Sequence, residues 1–368
     1  MKIICSKSDL SAGINIVLKA VPAKTTMNII ECILIKALNG EIHLVGNDME
    51  LGIETYVKGT VEEEGVIAIN AKIFSEIIRK LPDNDIHIET DSMLNTRITC
   101  EKSKFNISAK DGTEFPGLPN IEKSNRISMS EFTLRELIRQ TVFSISDNEN
   151  NKIMTGELFE INGNKMRVAA LDGHRIAIRK VELKEDYGKY KVIVPGKALN
   201  EISKILSGEV SNEMNIYISD KHIMFELENT VILSRLIEGE YYKIDQMISN
   251  EFETRITVNN KELFNSIDRA TLLVKETDKK PVIMGVNGDK IELRMNTSIG
   301  SMDDEIAIDK EGKDILIGFN PKFIIEALRV IDDEDIDIYL INPKAPCFIK
   351  DKKDSYIYLI LPVNINAQ

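Results

Sequence analysis

The sequence predicts an α+β protein made of three tandem copies of one unit, each with two helices and antiparallel sheets. Three observations carry this. A helical stretch recurs as INAKIFSEIIRKL (69–81), VPGKALNEISKIL (194–206) and FNPKFIIEALRVI (319–331). It aligns Lys72 with Lys197 and Lys322, Glu76 with Glu201 and Glu326, and Arg79 with Lys204 and Arg329; 197−72 and 322−197 are both 125. An Asn-Gly hairpin signal recurs ahead of it at Asn39, Asn162 and Asn287. A polar residue suited to cap a helix opens each third at Ser8, Ser130 and Asn260.

Taken in order, each third begins with a strand that runs into an amphipathic helix, predicted at 8–21, 130–146 and 259–275. The hairpin follows, and Asn-Gly suits the positive φ that a type I′ turn demands at both central positions. An alternating strand (66–69, 192–194, 315–317) leads into the second helix, predicted at 70–81, 197–207 and 320–331, and strands DIHIET, NIYISD and DIDIYL come next. On the second helix, Lys72 and Arg79 lie two turns apart on one face, with Ile73, Ile77 and Leu81 expected as the buried stripe. Pro, Gly and polar residues interrupt the pattern at 115–125 and 241–254, which gives domains 1–120, 126–245 and 252–368.

Composition narrows the function. With 43% hydrophobic and 29% charged residues and no run of eighteen apolar residues, the chain reads as a soluble globular protein without a membrane partner. Its opening residues lack a signal-peptide pattern, so a cytoplasmic location is expected. Cys5, Cys32, Cys100 and Cys347 are widely spaced, which favours small buried hydrophobes over a zinc site or disulfides. Net charge is −12, which on average opposes a nucleic-acid partner. The distribution points the other way: the six predicted helices hold about 13 Lys and Arg against about 8 Asp and Glu. Surface ion pairs worth a few tenths of a kcal/mol give little reason for the same basic pair three times. A protein acidic outside and basic on one helical layer can enclose a polyanion. At about 8–10 Å between packed helices, six in a ring leave only about 7 Å clear. Twelve, from two chains, leave about 24 Å, wide enough for a DNA duplex and a layer of water. Such contacts would fall on phosphates and carry no sequence information.

The segments EFPGLPN, LDGHRIA, VIVPGKAL, GFNPKF and YLILPV, in that order, resemble the beta sliding clamp of bacterial DNA polymerase III over the full length of the chain. That resemblance implies a processivity factor rather than an enzyme: a crescent subunit that closes into a ring as a head-to-tail homodimer around duplex DNA. Its implied partners are the polymerase III alpha subunit, the clamp loader and other proteins carrying a clamp-binding motif. No metal or small cofactor is implied. DNA contacts would be Lys24, Lys72, Arg79, Lys152, Lys197, Lys204, Lys322 and Arg329, with Asn148 and Asn151 beside Lys152. A peptide groove would comprise Met154, Thr155, Leu171, Gly173, His174, Arg175, Ile176, Met247, Asn320, Phe323, Pro346, Leu359, Leu361, Pro362 and Val363. The dimer would use Lys104 and Phe105 against Leu272 and Leu273. The chain departs from the family pattern at Leu171, where Thr is usual, at Tyr242 and Asn28, where Pro is common, and at Asn364, where Arg often stands.

The residues alone leave alternatives. LDGHRIA has no counterpart in the other two thirds, and such a departure from a repeat marks a grafted function. Asp172 and His174 could form a general acid/base pair, although no nucleophile motif, phosphate loop or metal-ligand cluster accompanies them. A packed or hydrogen-bonded structural His174 is the preferred reading over that pair. A three-repeat peptide scaffold indifferent to DNA is the remaining reading.

Overall fold

The computed structural model describes residues 1–274 and 280–365. Lys275, the predicted end of helix 259–275, and residues 366–368 of the third predicted domain lie outside them. Six helices are present among the described residues: α1 (Lys7–Val17), α2 (Ala71–Lys80), α3 (Glu131–Arg139), α4 (Gly196–Ser203), α5 (Asn260–Thr271) and α6 (Pro321–Val330).

One wiring rule generates every third. The opening strand (Lys2–Ser6, Ile127–Ser130, Thr254–Asn259) leads into the first helix. A meander follows, whose last strand pairs back with its first: Gly65–Asn70 with Cys32–Leu38, Lys189–Pro195 with Gly156–Asn162, Ile315–Phe319 with Val282–Asn287. The second helix comes next. A three-stranded meander then pairs its first strand with the opening strand of the same third: Asp85–Thr90, Glu213–Ile218 and Asp335–Leu340. All pairings between the described strands are antiparallel, as direct hairpin connections require.

The described residues form two compact units, Met1–Phe132 with Lys204–Leu236, and Thr133–Ser203 with Ile237–Gln368. This division cuts through the middle third of the repeat because strand pairing welds neighbours together. In the first unit, Leu51–Val57 pairs with Thr230–Arg235 to give a nine-stranded sheet. In the second, Arg175–Glu182 pairs with Tyr356–Ile360 to give another. The connecting segments are packed rather than loose. Phe115 and Ile121 are buried in the first unit, and Tyr241 and Ile244 in the second.

Several sequence expectations shift by a residue or more, each for a local reason. The α1 cap is Ser6, whose side chain accepts from Asp9 N, not Ser8; the α5 cap is Asn259, not Asn260. Asn260 instead donates through Nδ2 to Leu328 O and Ile331 O, tying the start of α5 to the end of α6. The predicted helix 130–146 stops at Arg139, where the Thr141 hydroxyl donates back to Leu137 O and the backbone leaves the helical region. The predicted helix 197–207 stops at Ser203, so Lys204 sits on a turn and the two-turn spacing fails in the middle third. Ile73 is 51% exposed; the α2 stripe is Ala71, Phe74, Ile77 and Ile78, with Leu81 buried behind it. Asn-Gly fills both central turn positions only at Asn39–Gly40, where both φ are positive. At Gly163 and Gly288 the loop starts one residue later and only the Gly has positive φ, the type II′ pattern.

Candidate functional site

The segment 171–176 is a tight reversal between two central strands. Asp172 Oδ1 accepts from the backbone N of His174 and Arg175, at 2.9 and 3.1 Å, while Gly173 takes φ +89°, a conformation costly for any side chain. Asp172 Oδ2 accepts from Arg175 Nε at 3.0 Å. Its carboxylate is therefore occupied in shaping the turn, and the His174 ring stacks on Phe323 instead, centroids 5.9 Å apart. The acid/base pair considered from the sequence is not formed.

Arg175 is also not the groove-lining residue expected. It is 6% exposed; its guanidinium bonds Asp172, Glu326 and Phe143 O and lies over the Phe323 ring, 4.5 Å from the centroid. Four partners satisfy a charge that burial would otherwise penalise severely. Arg175 thus clamps the turn to α6. Asn320 has a comparable structural role, with Oδ1 capping α6 through Lys322 N.

The remaining groove residues sort by exposure. Leu171, Ile176 and Leu359 are buried in one apolar cluster, with Ile176 directly opposite Leu359 across the strand pair, and Met154 packs on it. Above this floor stand exposed apolar side chains: Met247, Leu361 and Val363. Leu361 N donates to His174 O and Val363 N to Gly318 O, at 2.9 and 2.8 Å, which fixes the terminal segment against the turn. Thr155, Phe323, Pro346 and Pro362 are half-buried. The same cluster also includes Tyr241, Ile244 and Phe348, which the residue pattern does not single out. Tyr241 and Ile244, three apart in a segment read as a connector, were the available signal.

The basic residues are all exposed: Lys24, Lys72, Arg79, Lys152, Lys197, Lys204, Lys322 and Arg329. Among the described residues Lys72 and Arg79 have no ion pair, leaving both charges available. Lys197 bonds Glu149 at 2.8 Å, which raises the lysine pKa and lowers that of the acid. Lys322 lies 3.9 Å from Glu326, and Arg329 over the Phe264 ring. Asn151 donates to Tyr242 Oη at 2.8 Å, anchoring the loop before Lys152.

Comparison with known proteins decides the family. The models for the N-terminal, central and C-terminal domains of the DNA polymerase III beta subunit match residues 1–119, 128–243 and 245–364. The chain is 33% identical to the beta sliding clamp of Staphylococcus aureus over 361 residues, 95% of this chain and 96% of that one. The chain belongs to the DNA polymerase III beta-subunit family, the sliding clamps. A solved DNA polymerase III beta subunit from Eubacterium rectale superposes with a TM-score of 0.97 at 61% identity over the whole of both chains. The DNA polymerase sliding clamp of Bacillus subtilis gives 0.95 at 34% identity over 99% of each. The α+β fold is accordingly three tandem clamp domains, and the chain is a non-catalytic processivity factor of DNA replication.

Among the described residues, two strands at places equivalent to the sealed ones in the wiring end their sheets. Ser103–Ser108, with exposed Lys104 and Phe105, ends the five-stranded sheet of the first unit. Gly300–Ala307 ends the four-stranded sheet of the second. Leu272, just past α5, is 80% exposed, whereas Leu273 packs on the core and reaches toward Gly300. Of the adjacent leucines, then, one faces solvent and one the core. Among the described residues no helix is long and apolar enough to cross a membrane.

Proposed function

We propose that two copies close head to tail into a ring around duplex DNA, that the exposed basic residues hold phosphates loosely enough to slide, and that the groove tethers replication partners. On this reading the domains follow the repeat, 1–120, 126–245 and 252–368, and the protein works in the cytoplasm. The observation that carries the ring is the wiring rule. The third strand of one third's first meander pairs with the final strand of the next third, at 51–57 with 230–235 and at 175–182 with 356–360. The two members of this series without a partner are Gly300–Ala307 and Ser103–Ser108. A second copy supplies the missing partner for each, and pairing them end to end closes the series while removing both sheet edges. Charge agrees: Lys104 lies on one edge, and Asp303, Asp304 and Glu305 on the other.

The groove takes a short apolar peptide, as borne by the polymerase III alpha subunit and the clamp loader; its rim of Met247, Leu361 and Val363 adapts to varied sequences. The test of the ring is retention on nicked circular DNA before and after linearisation. Retention on the circle and loss on the linear form supports it; equal retention on both refutes it. Reversing Lys72, Arg79 and Lys197 to Glu should weaken retention and flatten its salt dependence without shifting the thermal transition.

A further inference from the structure

The central sheet of the second unit carries a charged surface that the ring and the groove leave unused. Strand register fixes which side chains share a face, because residues directly opposite point the same way. One row reads Lys191, Glu160, Arg167, Lys180, and the next Lys189, Asn162, Lys165, Glu182. Arg167 bonds both Glu160 and Asp245, the latter on the connector that crosses this face. The Asp245 carboxyl is held below its usual range chiefly by Arg167, with Lys180 and Lys191 contributing, so these lysines face the same space. A shallow cavity of about 500 Å³ opens there, lined by Lys189, Tyr190, Lys191, Arg167 and Asp245 among others. Lys165, Lys180, Lys189 and Lys191 are exposed and, among the described residues, have no ion pair. With Glu160, Glu182 and Asp245, the surface holds five cations against three anions.

The repeat shows that this is no generic feature of the sheet. The equivalent row is Val66, Lys36, His43, Tyr56 in the first third and Leu316, Gly285, Glu292, Glu305 in the last. The first third has one lysine in that row, paired with Glu54, and the last has two glutamates, so only the middle third sets three cations there, in a chain of net charge −12. It is also the third that carries the groove turn. The face continues from groove floor to basic rows along the same strands: Leu171 and Ile176, then Ala169 and Ile178, then Arg167 and Lys180. At about 3.4 Å per residue the first and last of these rows are about 14 Å apart, within reach of five or six extended residues that pass over the connector at Met247.

We propose that these lysines receive an acidic segment flanking the apolar peptide of a groove-bound protein partner, so that recognition extends beyond the groove. This rests on the groove reading above. An acidic polypeptide is favoured over nucleic acid because the surface adjoins a peptide site and interleaves three carboxylates, which hold a segment in register but repel a continuous phosphate backbone. At about 0.1 M salt, screening over about 10 Å lets this local charge outweigh the net charge of the chain.

Fluorescence anisotropy of a fluorescein-labelled peptide of eight glutamates reads the surface alone. The full-length protein should bind it, and Lys189→Glu with Lys191→Glu should weaken binding at least about tenfold. Unchanged binding by that variant overturns the proposal. So does tighter binding of labelled oligothymidylate through the same two lysines, which would make nucleic acid the occupant. Two further peptides share a Leu-Phe anchor followed, five residues on, by four glutamates or four serines. The glutamate form should bind more tightly to the parent and lose that advantage in the double variant; equal binding to the parent overturns the link. If neither anchored peptide binds while eight glutamates do, the groove reading fails and the acid-binding surface stands without it.

Discussion

The sealed and the open strands of this clamp occupy equivalent places in its repeat, yet their surroundings are opposite. Tyr356–Ile360 is buried along its whole length and Thr230–Arg235 along most of it. At the first junction Thr55 Oγ1 and Thr230 Oγ1 share a buried hydrogen bond of 2.7 Å. The equivalent Ser103–Ser108 has no buried position, and Gly300–Ala307 alternates half-buried and exposed positions up to the buried Ile306. The comparison teaches that one wiring rule yields an internal weld or an open edge according to whether the next repeat is on the same chain. Charge is the visible adaptation: the second weld sets Ile176, Ala177 and Ile178 against Leu359, Tyr358 and Ile357, whereas the open strands carry Lys104 or Asp303 and Glu305, which deter indiscriminate pairing.

The comparison breaks most sharply under a buried charge. Ile178, opposite Ile357 in the second weld, is 1% exposed, so Ile178→Asp should cost more than about 4 kcal/mol in urea unfolding. Phe105→Asp on the open edge should move the same transition by less than about 1 kcal/mol. Oligomeric state gives the converse effect. Phe105→Ala with Leu272→Ala should weaken self-association by roughly a hundredfold, giving monomers in sedimentation with little loss of fold; an intact dimer would move the interface elsewhere.

Glu157 sharpens the comparison from inside the second unit. It stands opposite Val194, where the other thirds place Ile33 and Val282 opposite Ile69 and Phe319. It is fully buried, with Oε2 3.1 Å from the Thr141 hydroxyl oxygen, and burial raises its pKa well above the usual carboxyl value. The folded state thus holds a proton that the unfolded chain releases. Its contribution is complete below the ordinary pKa and is lost as pH rises toward the folded one. Glu157→Gln should therefore match the parent near pH 4 and gain on it by up to about 1.4 kcal/mol per pH unit above that until the folded pKa is reached. A pH-independent difference in melting would exclude this. The smallest effect belongs to the exposed pair at 3.9 Å: Lys322→Ala should change stability by less than about 0.5 kcal/mol, while still lowering DNA retention.

Much of this was legible from residue patterns. The strict 125-residue step exposes the second helix of each third, and wide spacing marks the cysteines as buried hydrophobes, as all four are. Burial pushes the thiols of Cys5 and Cys347 up to about 12, consistent with inert packing. The lapses follow from neighbours that a linear pattern omits. Ile73 carries the right residue type, but α2 turns Phe74 to the core beside it. The resemblance sets Arg175 along the groove, and only Glu326 and Phe323, some 150 positions away, make it a buried clamp. The Tyr241–Ile244 connector reads as a boundary and is packed into the apolar cluster of Leu171, Ile176 and Leu359.

By itself the sequence determined the threefold repeat, the α+β class and the placement of basic residues, because periodicity, capping and turn chemistry act over a few residues and leave a local imprint. Only the tertiary structure decided which strands are welded and which stay bare, how the Arg175 charge is satisfied, and which lysines line up across the central sheet. Those outcomes depend on pairing between residues far apart in the chain, where a one-residue shift of register exchanges the two faces of a strand.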